Sequence, residues 1–201
     1  MTIDLHGYRT GNCLRVSVAL EEAGLPYTVH QVNLALGEHH SATHLALNPS
    51  GKVPVIVDHA DDPPFVLSQS NAIMMYIDQK RPGVLFPENT MKRAIALERF
   101  FYFVTDVIGP GMAAFRVRGS DEARNSLLES SLSAWADAHR FVENSKYMGG
   151  DEFSAADIAA AVYIQAYHRH IDWASAPRLE QWLQDVMSRP SFERGMKAFG
   201  K

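Results

Sequence analysis

The sequence predicts a mixed α/β domain followed by an all-helical one. Up to residue 81, short apolar runs of strand length alternate with stretches of helical periodicity, and beyond residue 90 only helical periodicity remains. The Pro/Gly segment PGVLFPENT between the two parts is typical of a linker. We therefore predict an α/β domain over residues 1–81, a linker over 82–90 and a helical domain over 91–201.

The elements of the first part follow from its local patterns. Strands are predicted at IDLHGY and YTVHQVNL, on either side of a helix, NCLRVSVALEEAG, which Gly24 closes. A short helical or irregular piece, HHSATHLAL, precedes a buried strand at VPVIVD. The next strand, PPFVL, fits a sheet edge because its prolines cannot donate to a ladder. The apolar spacing in SNAIMMYIDQK predicts the last helix of this part.

The second part is predicted to be helical throughout. Two long amphipathic helices are expected at KRAIALERFFYFVTDVI and ARNSLLESSLSAWADAHRFVEN, with a kink at the GPG sequence that begins at Gly109. The segment SAADIAAAVYIQAYHRH is apolar on most faces and predicts a buried central helix. Ser154 and Asp157 at its start form a capping-box pattern, which favours a structural role for Asp157. Shorter helices are expected after Pro177 and after Pro190.

Composition narrows the class of protein. A net charge of −4 with no run of basic residues argues against nucleic-acid binding. The apolar runs are too short to span a membrane, and the first residues lack the pattern of a secretory signal. A single cysteine, Cys13, cannot form an internal disulfide, which favours a reducing compartment. We therefore expect a soluble cytoplasmic protein with no nucleic-acid or membrane partner.

Two segments suggest a binding site, although each has a simpler explanation. In NPSGKVPVIVD, Lys52 and Pro54 stand at the entrance to a buried strand; such a lysine is usually solvated and such a proline usually trans. In LSQSNAI, Gln69 and Ser70 precede a helix whose free N–H groups can bind an anion. The simpler alternative is that Ser70 only caps the helix.

Taken in order, these motifs resemble the glutathione transferase family over nearly the whole chain. The resemblance implies a thioredoxin-like first domain that binds glutathione and a helical domain that supplies the cosubstrate pocket of a homodimer. It implies a cis Pro54 after Val53, whose backbone pairs with the cysteinyl part of glutathione. It also implies that Gln69 and Ser70 hold the γ-glutamyl carboxylate. Lys52 would face the glycine carboxylate, and the loop with His39 and His40 flanks that end.

The residue that activates glutathione is expected between the first strand and the first helix. In HGYRTGNCLRV, the family alignment places Thr10 and Asn12 at positions where other classes carry a serine or a cysteine. The T-x-N spacing resembles the bacterial nu class and its disulfide-reducing relatives. Hydrogen bonds from both side chains and the field of a helix N-terminus would favour a thiolate. Tyr8 is the rival activator, and Cys13 falls one position past the cysteine of the beta class.

The resemblance implies transfer of the glutathione thiolate to a small hydrophobic electrophile. Glutathione-dependent reduction of disulfides is an alternative, as is a non-catalytic module that only binds glutathione. In a further alternative Cys13 carries the redox chemistry itself, as in a glutaredoxin. We favour the hypothesis that the reacting thiol belongs to glutathione. Cys13 then has no role in the reaction.

The remaining candidates concern the cosubstrate and metals. The wall of the cosubstrate pocket is assigned to Tyr102, Met112, Phe115 and Arg116, although the FFYF run that contains Tyr102 also fits a core or a subunit interface. Nine histidines invite a metal site, but neither the group His39, His40 and His44 nor the pair His168 and His170 has ligand spacing typical of zinc. We therefore expect no metal, and we assign His40 to the glycine end of glutathione.

Overall fold

The computed structural model describes residues 3–200, which separate into two compact units. The first takes the chain up to Leu85 and resumes at Ser188, and the second spans Phe86–Met187. In chain order the elements are β1 (Ile3–Gly7), α1 (Gly11–Glu22), β2 (Tyr27–Gln31), α2 (Ala42–Leu47), β3 (Val55–Asp58), β4 (Phe65–Ser68), α3 (Ser70–Lys80), α4 (Thr90–Tyr102), α5 (Gly109–Arg116), α6 (Asp121–Asp137), α7 (Ala155–Ile164), α8 (Pro177–Met187) and α9 (Pro190–Lys197).

The first unit is built on a four-stranded mixed sheet in the order β2-β1-β3-β4. β1 runs parallel to β2 and antiparallel to β3, and β3 runs antiparallel to β4. β3 is an inner strand and all four of its residues are buried. β4 lies at an edge of the sheet and directly follows two prolines in the sequence, as predicted. Together with the helical second unit, this thioredoxin-like arrangement confirms the predicted fold class.

The structure groups α9 with the first unit, unlike the predicted division, which gave the chain from residue 91 onward to one helical domain. α9 lies so close to α1 that a Cβ on Gly195 would be 2.5 Å from the Cα of Val18. The Ser17 hydroxyl donates to the Gly195 carbonyl at 2.7 Å. At the far end of α1, the Arg189 guanidinium donates to both oxygens of Glu22 at 2.8 Å. A long-range contact of this kind leaves no local pattern in the sequence.

The expected kink in the second unit is a π-helical turn over Phe103–Ile108 that joins α4 to α5. Pro110 explains it, because proline has no N–H and its ring clashes with the carbonyl four residues earlier. The Ser131 hydroxyl donates to the Val107 carbonyl at 2.7 Å within this turn. Gly111 is required because a side chain there would overlap the Tyr163 hydroxyl.

α7 is the buried central helix of the second unit, as predicted, with every residue from Ala155 to Val162 buried. It ends at Ile164, earlier than the sequence suggests, and His168–His170 form a separate 3-10 turn. The Trp173 indole donates to the His168 carbonyl at 2.9 Å and holds this turn. Within residues 3–200, no helix combines the length and apolar character needed to cross a membrane.

Asp157 is the polar centre of the second unit. Its carboxylate accepts hydrogen bonds from the Met148 N–H at 2.8 Å, the Ser154 N–H at 2.9 Å and the Trp182 indole at 2.8 Å. Ser154 completes the predicted capping box by accepting from the first turn of α7. Burial raises the pKa of Asp157 to about 6, although the hydrogen bonds oppose that shift. The carboxylate therefore ties the start of α7 to α8 and to the loop before it.

Replacing Asp157 with Asn should lower the free energy of unfolding by roughly 2–4 kcal/mol, because the amide NH₂ that replaces one carboxylate oxygen cannot accept from the buried donors bound there. Urea denaturation followed by circular dichroism measures this. Asp151→Asn, at an exposed position in the same loop, is the control and should change the midpoint little. Equal midpoints for the two variants would contradict a structural role for Asp157.

Candidate active site

The loop between β1 and α1 places Thr10 at the N-cap of α1. The Thr10 Oγ1 accepts a hydrogen bond from the Cys13 N–H at 3.4 Å, and the Thr10 N–H donates to the Tyr8 carbonyl at 2.7 Å. A hydroxyl that accepts one bond still has its own hydrogen to donate. The half-buried Thr10 therefore offers a donor at the positive end of a helix.

Asn12 lies in the first turn of the same helix and is oriented by Arg15. The Asn12 Oδ1 accepts from the Arg15 Nη2 at 2.6 Å. Because a guanidinium only donates, the atom that faces it must be the amide oxygen. Both N–H donors of the Asn12 amide are thus left for another acceptor, since no described residue accepts from them.

Arg15 connects α1 to the start of α3. It is 3% exposed, and it also donates to the Ser70 Oγ at 3.0 Å and the Asn71 Oδ1 at 3.1 Å. Burial lowers the pKa of Arg15 to about 10, which leaves it protonated at neutral pH. Among the described residues its partners are neutral oxygens and no carboxylate balances its charge. The sequence signal for this role is a lone arginine within the apolar run of α1.

Gln69 and Ser70 form the start of α3. Gln69 has φ 74° and ψ 107° and is the one non-glycine residue of the described chain with positive φ. Such a conformation costs on the order of 1–3 kcal/mol and is common at ligand sites. Ser70 is buried beside Arg15, and the first N–H groups of α3 have no partner within the helix. The predicted anion-binding residues therefore meet a buried cation at a helix N-terminus.

The Val53–Pro54 bond at the entrance of β3 is cis, as the resemblance implies. The loop before it is fixed through the Lys52 carbonyl, which accepts from the His44 Nε2 at 3.1 Å and the Asn48 Nδ2 at 2.7 Å. Neither the N–H nor the C=O of Val53 is hydrogen-bonded to a described residue. The Val53 backbone is thus available to a peptide-like ligand.

Lys52 and His40 lie beside the same loop, with both side chains exposed. Gly51, which precedes Lys52, has a φ of 60°, and a Cβ there would be 3.0 Å from the His40 Nδ1. His40 therefore lies next to Gly51, the chain neighbour of Lys52, and the assignment of both side chains to the glycine end of glutathione stays a prediction. Within the described residues, no hydrogen bond or ion pair joins these two side chains to Arg15 or to its partners.

Cys13 faces the interior of the first unit. Its side chain is fully buried, and a Cβ on Gly7 would lie 2.9 Å from its Sγ and equally close to Phe199. Burial raises the pKa of the Cys13 thiol, although its contacts with Thr10 and Tyr8 oppose the shift. Reactive cysteines have the opposite properties, a lowered pKa and access to solvent.

The predicted cosubstrate residues lie on α4 and α5. The Tyr102 hydroxyl donates to the Ala134 carbonyl at 2.6 Å, so it is engaged inside the helical unit. Met112 is half-buried, Arg116 is exposed and Phe115 is 72% exposed. None of the four lines the cavity of about 530 Å³ between Leu132 and Leu179. Their grouping into one pocket stays a prediction.

Comparison with known proteins decides the family. The family model for the glutathione S-transferase N-terminal domain matches residues 11–80. The disulfide-bond oxidoreductase YfcG of Escherichia coli is 30% identical over 201 residues, covering 94% of this chain and 92% of YfcG. This chain belongs to the glutathione S-transferase family.

Other members of the glutathione S-transferase family resemble this chain in sequence or in structure. GstB of E. coli is 31% identical over 198 residues, with 91% of each chain covered. A transferase structure from Burkholderia graminis, with two glutathione molecules bound per subunit, has a TM-score of 0.85 and 26% identity, covering 98% of this chain and 88% of that one. A theta-class structure from Xanthomonas axonopodis, with glutathione bound, has a TM-score of 0.82 and 28% identity, with 96% of each chain covered.

Cys13 in the native protein should react with a maleimide at neutral pH at least about 100-fold more slowly than free glutathione, because its thiol is buried and protonated. Mass spectrometry of quenched samples gives the rate. The same protein in denaturant is the control and should react as a free thiol does. Modification of the native protein as fast as glutathione would instead support a redox role for Cys13.

Proposed function

We propose that the protein binds glutathione along its first unit and holds the glutathione sulfur as a thiolate at Thr10 and Asn12. The observation that carries this proposal is the pair of donors at the start of α1. The Thr10 Oγ1 accepts from the Cys13 N–H, and the Asn12 Oδ1 accepts from Arg15. The hydroxyl hydrogen of Thr10 and the amide hydrogens of Asn12 can then be donated to a ligand. A thiolate is an acceptor that fits this arrangement.

The energies are sufficient for this role without a metal or a strong base. Lowering the pKa of a thiol by about 2 units requires roughly 2.7 kcal/mol in favour of the charged form. Two charge-assisted hydrogen bonds at about 1.5–3 kcal/mol each supply that amount. The N-terminus of α1 adds a favourable field.

The rest of the tripeptide would follow the residues named above. The first 85 residues hold eight acidic and five basic side chains, so attraction of the two glutathione carboxylates must be local. The γ-glutamyl carboxylate would bind at Gln69 and Ser70, above the buried charge of Arg15. The Val53 backbone would pair with the cysteinyl part, and Lys52 with His40 would hold the glycine carboxylate.

The proposed reaction is conjugation to a small hydrophobic electrophile. The thiolate attacks an electrophilic carbon, a C–S bond forms, and the leaving group departs with its electron pair. Tyr102, Met112, Phe115 and Arg116 are the proposed wall of the cosubstrate pocket. We also propose a cytoplasmic homodimer, in keeping with the family.

Disulfide reduction is the second candidate, and the relation to YfcG favours it. Here the thiolate attacks one sulfur of a disulfide and releases the other as a thiolate, which takes up a proton. A second glutathione then displaces the remaining thiol, and oxidised glutathione leaves. Turnover of an aryl halide would support conjugation, whereas tighter binding of oxidised than of reduced glutathione would support reduction.

The thiolate is tested by titrating the ultraviolet band of glutathione bound to the Cys13→Ser protein. The band should persist about 2 pH units below the pKa of free glutathione, because Thr10 and Asn12 stabilise the anion. Thr10→Ala should shift the titration towards that of free glutathione, and Tyr8→Phe should shift it less. The opposite ranking would make Tyr8 the activator. Glutathione that binds but stays protonated would favour a non-catalytic module.

Arg15→Met tests the contribution of the buried cation. The affinity for glutathione should fall by roughly 10- to 100-fold, since Asn12 and Ser70 lose charge-assisted hydrogen bonds and the site loses a positive charge. Calorimetric titration gives the dissociation constant. Arg9→Met, at an exposed position of the loop before α1, is the matched control and should change the dissociation constant little. A folded Arg15→Met protein with unchanged affinity would contradict this role.

A further inference from the structure

A second cluster of polar side chains lies on β1, away from the Thr10 loop. Ile3, Leu5 and Gly7 of β1 are buried, so the alternate residues Asp4 and His6 project from the opposite face of the sheet. The register pairs His6 with His30 of β2, which therefore lies on the same face. Four side chains meet there, namely Asp4, His6, His30 and His59.

The donor atoms of this cluster converge. The Asp4 Oδ1 is 3.1 Å from the His30 Nε2, and the Asp4 Oδ2 is 2.9 Å from the His59 Nε2. The rings of His6 and His30 are stacked, with centroids 4.7 Å apart and planes inclined by 16°. One donor atom from each of Asp4, His6 and His30 lies within 4.8 Å of the other two.

We propose that Asp4, His6 and His30 form a binding site for a divalent transition-metal ion such as zinc. In this site His59 hydrogen-bonds the second oxygen of Asp4 and so orients the carboxylate. Two imidazoles and one carboxylate suit zinc, nickel or copper, whereas calcium and magnesium prefer oxygen donors alone. The site is separate from the proposed function, because it needs neither glutathione nor Thr10.

The geometry requires only small adjustments. Zinc binds imidazole nitrogen at about 2.0–2.1 Å and carboxylate oxygen at about 2.0–2.2 Å, which puts tetrahedral donors roughly 3.3 Å apart. The Asp4–His30 pair already has this separation. The His6 nitrogen must move closer, which rotation of side chains at a solvent-accessible face permits. The His30 side chain is 45% exposed, so that an ion has a path to the site and water can complete its coordination.

Hydrogen bonding alone accounts for only part of this cluster. The bonds to Asp4 explain the positions of His30 and His59. The His6 imidazole makes no hydrogen bond to any described residue, yet its ring stacks on His30 beside the carboxylate. A metal ion shared with Asp4 and His30 gives the His6 imidazole a partner.

The test is calorimetric titration of ZnCl₂ into the untagged, chelator-treated protein without glutathione, which itself binds zinc. One ion should bind per chain. Asp4→Asn, His6→Gln and His30→Gln should each weaken binding by about 100-fold or more, and His59→Gln by roughly 10- to 100-fold as a residue that orients a ligand. His139→Gln is the control, because His139 pairs with one carboxylate, Glu143 at 3.1 Å, and should leave binding unchanged.

Addition of Co²⁺ to isotope-labelled wild-type protein locates the site without substitutions, in case a variant does not fold. Amide signals of β1 and β2 around Asp4, His6 and His30 should broaden first. Saturable zinc binding lost in the β1 and β2 variants, together with this broadening, supports the site. No saturable binding to wild type, equal loss in His139→Gln, or broadening centred elsewhere would overturn it.

Discussion

The buried guanidinium of Arg15 is the interaction on which the candidate active site depends. A charged group removed from water is costly unless its donors are satisfied, and here every partner is a neutral oxygen. Those oxygens belong to Asn12 on α1 and to Ser70 and Asn71 on α3. The residue proposed to hold the sulfur and the residue proposed to hold a carboxylate are thus positioned by one cation, whose charge no described carboxylate cancels.

The hydrogen bonds of Arg15 position these residues only if α1 is itself held in place, and α9 does this. One end of α9 meets α1 at Gly195, where the absence of a side chain permits contact with Val18. At the other end, the Arg189–Glu22 ion pair fixes the last turn of α1, and the Ser191 hydroxyl donates to the same carboxylate at 2.6 Å. The contacts of α9 therefore hold α1 in place within the first unit.

The sequence predicts what depends on local patterns. The capping box at Ser154 and Asp157, the edge position of β4 and the order of strands and helices all follow from short motifs, and the cis Pro54 follows from the family resemblance. What depends on contacts between distant segments could not be predicted. The placement of α9, the reach of Arg15 to Ser70 and the pairing of His6 with His30 come from packing and strand register, so the histidines considered first for metal binding were different ones.

The burial of Cys13 bears directly on which thiol reacts. The N-terminus of α1 offers one favourable field, and a thiol of the chain placed there would be activated by it. The fold instead turns Cys13 towards Gly7 and Phe199, where burial raises its pKa. The Cys13 N–H donates to the Thr10 Oγ1 and so helps to fix the loop at the start of α1. The buried thiol of Cys13 thus leaves the start of α1 open to the proposed glutathione thiol.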